Sequence, residues 1–471
     1  RVPLPLGSRR WARDERARCA AAQDRPPNAR LLSAVEGQQT DWERARRIAQ
    51  QILDPAYSLG EFNSDLAAFP ELHLYLLDGT PAATAEYQRT VGAFFAIYWL
   101  MRLDLDGRDG FANGVDDDWK PISIADRHDP RVAQADKRIA FRENAQWTFF
   151  RRLLLEAGLL EEQPSGGVVA NEERLVSLLA LTAIHDVMKS GPLLPQVQAE
   201  HAPYHGFQVG EVIADHDRAL CYVLEHYANV LPSYRGLGSA ARRSAQFAKC
   251  DLFFNHGWLV QAEAPPGAVF TELRAALIRD HKSEIDRRDL AFYFVHWLTD
   301  LAGAEPTPLG GCEKFVCKFP LHVLNSFLRS FEFVERIVTS TEAEVMEEYL
   351  KTRWCESAAS DASLPSGDTA LARMRLLCMA QTSAGPVLEA FDSLPTEDRE
   401  TLSFEMALTG CVGRGFSPDL VPCEALLPLG PALLLYYGPA FLQGLGADPA
   451  AAAAELRALD AKLRDARRRA S

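Results

Sequence analysis

Apolar residues recur along this chain at intervals of three and four, the spacing that gathers them on one face of a helix, while alternating β-branched runs are scarce. The pattern predicts helices at about 41–53, 81–104, 132–158, 172–189, 208–230, 240–261, 268–281, 287–302, 320–339 and 342–351. Turn-forming clusters separate several of them: PSGG at 164–167, SGPLLP at 190–195, LPSYRGLG at 231–238, APPG at 264–267 and AEPTPLGG at 304–311. Residues 1–40 are rich in Pro and Arg and read as irregular, and 41–354 reads as one helical domain. The stretch 355–368 (CESAASDASLPSGD) has few large apolar residues and reads as a linker. Beyond it, 369–471 reads as a C-terminal helical segment, with helices near 369–392, 397–410, 432–445 and 451–470. The expected fold class is all-α: a multi-helix bundle with a helical C-terminal extension.

The strongly apolar run VGAFFAIYWLM (91–101) is about half of what a bilayer-spanning helix needs, so a buried core helix is expected and no membrane span. LLPLGPALLLYYGPAFLQGLG at 426–446 is also markedly apolar; it would either pack on the main domain, the preferred reading, or form a subunit interface. The oligomeric state stays open.

Charge narrows the function classes. Across 471 residues, 50 Lys+Arg stand against 64 Asp+Glu, a formal charge of −14, which argues against general nucleic-acid binding and against a polybasic membrane anchor. Nine cysteines without a C-x-x-C pattern read as reduced thiols, hence a cytoplasmic protein. Residues 1–30 are Arg-rich but carry Asp14, Glu15 and Asp24 and lack an apolar core, so a secretory signal is not expected. A sequence that starts at Arg1 leaves organelle targeting open. DLDGRDGFANGVDDD at 104–118 has the look of a calcium loop, but Arg108 and Val115 stand at its fifth and twelfth positions, so a solvated acidic turn is expected.

His-Asp occurs three times, at 128–129, 185–186 and 216–217, and context separates the pairs. His128-Asp129 precedes a proline among polar residues. His185-Asp186 ends a long apolar helical run, ERLVSLLALTAIHDVMKSG (173–191), and would deliver imidazole and carboxylate at a rigid helix end. GEVIADHDRALCYVLEHY (210–227) carries Asp215, His216 and Asp217, and FAKCDLFFNHGWLV (247–260) carries His256. DLAFYFVHWLTDLAGAEPTP (289–308) sets His296 and Asp300 four apart on one helical face. An unpaired Asp300 in such apolar company is unusual, and neutralisation by a cation is a simple solution. Each of these taken alone also has a plain structural explanation, as a capping residue or a hydrogen-bonded core histidine.

Order and texture together resemble the all-helical HD superfamily of metal-dependent phosphohydrolases, and within it the class I cyclic-nucleotide phosphodiesterases. The resemblance covers about 140–340. It is carried by Ala183-Ile184-His185-Asp186-Val187, by Asp215-His216, by Asp251 and His256, and by Val295-His296-Trp297-Leu298-Thr299-Asp300-Leu301 followed by Pro306-Thr307. It implies an HD/phosphodiesterase-like bundle in which His185, Asp186 and Asp300 ligate divalent metal ions (Zn, Mg, Mn or Fe). Lys189 and His216 would be catalytic, and Lys189, His216 and His256 would line the site of a small phosphorylated ligand. Lys189 also reads, at even weight, as a solvated helix-end cation. Three departures stand out. The family's first histidine motif should fall in FRENAQWTFFRRLLLE (141–156), which has no histidine; no Gln lies between Gln261 and Gln381 to read a purine; and Met188-Lys189 replace a second histidine. The expected function is therefore a divalent-metal-dependent phosphohydrolase or phosphodiesterase acting on a phosphoester, with cyclic nucleotides as a candidate. The alternative is a catalytically degenerate HD-like binding or scaffolding protein. A third reading, oxidative chemistry at two irons, draws only on the altered ligand set.

Overall fold

A computed structural model of the chain describes residues 34–410, apart from 36, 78, 124–132, 253, 255, 263–265, 279–286, 338, 358–362 and 381–383. The fold is all-α: among the described residues the only strands are β1 (Leu160–Glu162) and β2 (Val168–Ala170), an antiparallel pair. They flank the PSGG cluster, where Gly166 and Gly167 take φ of +84° and +88°, a conformation that disfavours a Cβ. Also among the described residues, no helix is long and apolar enough to cross a membrane. The expected helices at 432–445 and 451–470 lie outside the described residues.

The chain divides into two compact units, one of Arg1–Asp251 with Asp286–Asn325, the other of Leu252–Ile285 with Ser326–Ser471. This grouping differs from the one the sequence suggests. The stretch 355–368 falls inside the second unit instead of bounding it, and 252–285 leaves the unit that precedes it.

In the first unit the main helices are α1 (Trp42–Gln51), α2 (Pro81–Met101), α3 (Ala135–Asn144), α4 (Trp147–Glu156), α5 (Glu172–Ile184), α6 (His216–His226), α7 (Ser239–Gln246) and α8 (Arg287–Ala302). Helix α2 starts at a Thr80 cap with Pro81 in its first turn and is buried without interruption from Thr90 to Met101. Helix α5 starts at an Asn171 cap and is buried from Leu175 to Ile184. These runs are apolar on every side because both helices are enclosed by others. Helices α2 and α8 pack against each other at Gly92 and Gly303. A Cβ on Gly92 would lie 2.5 Å from the Gly303 carbonyl oxygen, and one on Gly303 would lie 2.1 Å from the Ala93 nitrogen.

Buried polar groups tie the loops to this frame. Arg102 donates to the carbonyls of Ile52 and Asp54 and pairs with Asp106. Arg138 donates to the carbonyls of Ala112 and Gly310 and pairs with Glu313. Glu71, fully buried, accepts from the Ser233 backbone N–H at 2.7 Å and from the Ser233 hydroxyl. Burial pushes its carboxyl above the usual range against those donations. The 104–118 stretch is ion-paired, not merely solvated: Asp104 meets Arg151, Asp106 meets Arg102, Asp109 meets Arg142, and Gly107–Asn113 is helical.

In the second unit the helices include Pro266–Ile278, α9 (Glu342–Glu356), α10 (Ala370–Ala380), α11 (Ala384–Ser393) and α12 (Thr396–Gly410). Helix α9 opens with a reciprocal capping box of Thr341 and Glu344. Arg274 pairs with Glu342 at 2.8 Å, and the Tyr349 hydroxyl donates to the Val260 carbonyl at 2.9 Å.

Three outcomes are expected. Gly92→Ala pushes the α2 and α8 backbones apart and lowers unfolding free energy by about 2 kcal/mol in urea titrations. Gly385→Ala, where nothing lies within 4 Å, is neutral or slightly stabilising. Glu71 has its folded pKa above the unfolded value, so stability is lost as pH rises from the unfolded carboxyl pKa, about 4.3, through the folded one. Glu71→Gln therefore gains on the wild type as pH rises above the unfolded carboxyl pKa, whereas a carboxyl ionising normally would leave the two stability curves parallel.

Candidate metal centre

Helix α5 ends at Ile184, and the chain tightens into a single 3-10 turn, Val187–Lys189, where the periodicity predicts continuing helix. Tyr75, on the turn Pro70–Leu76, holds this transition: its hydroxyl donates to the Ala183 carbonyl at 3.2 Å and accepts from the Asp186 N–H at 3.3 Å. His185 and Asp186 thus leave the helix end in fixed directions. The His185 Nδ1 donates to the Thr182 carbonyl at 2.7 Å, which turns Nε2 towards the carboxylates. Nε2 stands 3.1 Å from Asp300 Oδ1 and 3.3 Å from Asp186 Oδ2. One ligand atom from each of His185, Asp186 and Asp300 lies within 4.8 Å of the others. Asp300 comes from α8, as does His296, whose ring stands edge-on to His185 with centroids 5.3 Å apart.

Two lysines and a further histidine, His216, surround this cluster. Lys189 Nζ donates to Asp186 Oδ2 at 2.7 Å and lies 3.4 Å from Glu86 on α2. His216 opens α6 after Asp215, which caps the helix by accepting from the N–H groups of Asp217 and Arg218. That cap starts the helix at 216, where the periodicity had suggested 208. His216 Nε2 is 3.7 Å from Asp186 Oδ1 and 3.6 Å from Asp217 Oδ1. Lys249 pairs with Asp217 from the segment Phe247–Asp251, a π-helical turn that follows α7.

The electrostatics follow from this crowding. Burial lowers the His185 pKa, but Asp186 and Asp300 overcome it and raise the imidazole to about 10. Burial would raise Asp186, yet His185, Lys249 and Lys189 hold it well below the ordinary carboxylate range. Asp300 is held down chiefly by His185 against its own desolvation. Burial lowers the His296 pKa to about 3, so that ring is neutral. The Asp186 side chain is 8% exposed and that of His185 1%, against 45% for Asp300 and 37% for His216. Access to the cluster is therefore on the Asp300 and His216 side.

Of the residues singled out in the sequence, the structure gathers His185, Asp186, Lys189, His216 and Asp300. His256 is a residue of the second unit, where its ring stands edge-on to Phe254 with centroids 4.5 Å apart and burial lowers its pKa to about 3. The stretch 141–156 is two helices, α3 and α4; Arg142 pairs with Asp109, and Asn144 donates to the Ala140 carbonyl. The polar group brought to the cluster by an earlier helix is Glu86, from α2, far upstream of 141–156, where the resemblance expects the first histidine motif. His73 Nδ1 lies 3.3 Å from the Pro70 carbonyl, and His128 is outside the described residues. Glu86, Tyr75 and Lys249 were not foreseen. Lys249 did carry a signal, a lone ammonium in the apolar run FAKCDLFF, where an unpaired charge is costly.

One imidazole nitrogen and two carboxylates at this spacing suit Zn, Mn, Fe or Mg. With the Thr182 carbonyl taking the Nδ1 proton, Nε2 is the nitrogen that a metal ion would take, in exchange for the proton it shares with Asp186 and Asp300. Comparison of the chain with protein-family models, with curated proteins and with solved structures gave no match.

Proposed function

We propose that the chain is a divalent-metal-dependent phosphohydrolase acting on a phosphoester, with cyclic nucleotides among the candidate substrates. The observation that carries this reading is the convergence of His185, Asp186 and Asp300, from two helices 115 residues apart in sequence, to within 4.8 Å. Kinship with the HD superfamily rests on the motif resemblance alone and belongs to the same proposal.

A divalent ion held there would lower the pKa of a bound water and stabilise charge on the phosphoryl oxygens. The remaining work falls to side chains of this chain. Asp186 and Asp300 supply the negative charge that holds the ion, and His296 packs against His185 to fix its ring. Lys189, one turn past Asp186, offers an ammonium to a substrate phosphate. His216, partly exposed beside Asp186, is placed to pass a proton to the leaving oxygen, the role left vacant by the missing first histidine.

EDTA-stripped protein is expected to gain thermal stability on adding Mn²⁺ or Zn²⁺, and His185→Ala or Asp300→Ala to weaken that binding about 100-fold or more, measured calorimetrically. With metal restored, turnover of bis-nitrophenyl phosphate or a cyclic nucleotide is expected. His216→Ala should lower kcat about 100-fold with little change in KM, and Lys189→Ala should act mainly on KM. Metal binding without turnover of any phosphoester would favour the binding or scaffolding reading, and absence of metal binding would remove the enzyme reading.

A further inference from the structure

Asp215, His216 and Asp217 form a second group whose ligand atoms lie within 4.8 Å of one another, and His216 stands 3.7 Å from Asp186. By residue type alone the two groups read as adjoining halves of a two-cation site that share Asp186. The partners of the carboxylates say otherwise. Lys189 Nζ is 2.7 Å from Asp186 Oδ2, Lys249 Nζ donates to Asp217 Oδ1, and Asp215 is turned to its own backbone, accepting from the N–H groups of Asp217 and Arg218. A second ion would have to displace ammonium groups that the fold already supplies.

Lys249 is built in, not draped over a surface. Its side chain is 12% exposed, and its backbone lies in the π-helical turn Phe247–Asp251, an irregularity that re-aims side chains relative to a continuing α-helix. Burial opposes its charge, but Asp217, Asp186 and Asp300 together hold its pKa above the ordinary lysine value. The ammonium therefore sits in the field of both carboxylate groups.

We infer that this is a one-cation site: a single divalent ion binds at His185, Asp186 and Asp300, and the Lys249 ammonium stands where a second ion would be, facing the phosphoryl oxygens of the substrate. The inference rests on the proposed function and deepens it: with Lys189 on Asp186 and Lys249 on Asp217, the fold itself supplies two ammonium groups for a phosphate beside a single ion.

The test is Mn²⁺ loading of the EDTA-stripped full chain, read by metal analysis, electron paramagnetic resonance and calorimetry with inorganic phosphate as the anionic probe. The expected result is one Mn²⁺ per chain with an uncoupled spectrum, lost in His185→Ala. Lys249→Met should weaken phosphate binding to the loaded protein about tenfold, while Lys249→Arg keeps it within about threefold. Circular dichroism melts report whether each variant is folded, and the wild-type stoichiometry decides the matter even if Lys249→Met is not. Two Mn²⁺ per chain with exchange coupling would overturn the one-cation site and leave the proposed function standing. Unchanged phosphate affinity in folded Lys249→Met would overturn the role of Lys249. Absence of Mn²⁺ binding would remove the proposed function, and this inference with it.

Discussion

Ending the buried run of a helix on an imidazole and a carboxylate is unfavourable unless both are matched, because isolated charges in an apolar interior cost several kcal/mol each. Much of the first unit around this point supplies that match. Asp300 on α8 meets His185, Lys189 and Lys249 meet the carboxylates, the Thr182 carbonyl takes the remaining imidazole proton, and Tyr75 pins the backbone between Ala183 and Asp186. The apolar lengths of α2, α5 and α8 give this polar knot rigid walls. Charge and framework depend on each other: the helices fix the directions, and the ion pairs offset the cost of placing polar groups among them.

The same matching explains why part of the site is legible in the amino-acid sequence. His185, Asp186 and Asp300 interrupt runs of Leu, Ala, Ile and Phe at helical spacing, and such interruptions need a partner wherever the chain folds. The main helices are legible for a related reason, since an enclosed helix has apolar residues all round and a half-enclosed one has them on a stripe. What could not be read there depends on tertiary placement. Nothing in the composition of 132–158 marks the break between α3 and α4. Ala145 turns extended there, and the Trp147 indole donates to the Arg142 carbonyl at 2.8 Å. Ala and Gln, the residues at the break, are good helix formers, so packing overrides propensity.

Glu86 and Tyr75 were hidden for another reason. Each lies in a segment whose own pattern accounts for it, Glu86 near the start of an amphipathic stretch and Tyr75 in an apolar turn. Their relevance arises only when the turn Pro70–Leu76 and the start of α2 are brought beside the end of α5, about a hundred residues later in the chain. The motif resemblance calls for a group from 141–156, whereas the neighbouring position is filled from 81–101 by a carboxylate that faces Lys189.

The contact of Gly92 with Gly303 has a consequence for how this chain can vary. Where two bulky residues touch, enlargement of one is often absorbed by trimming the other. Here both partners are already the smallest residue there is, and the neighbours in the way are main-chain atoms, which no substitution can shorten. Compensation is therefore closed in both directions, and the crossing that carries Asp300 to its place is a point at which the lineage of this protein has almost no room to drift.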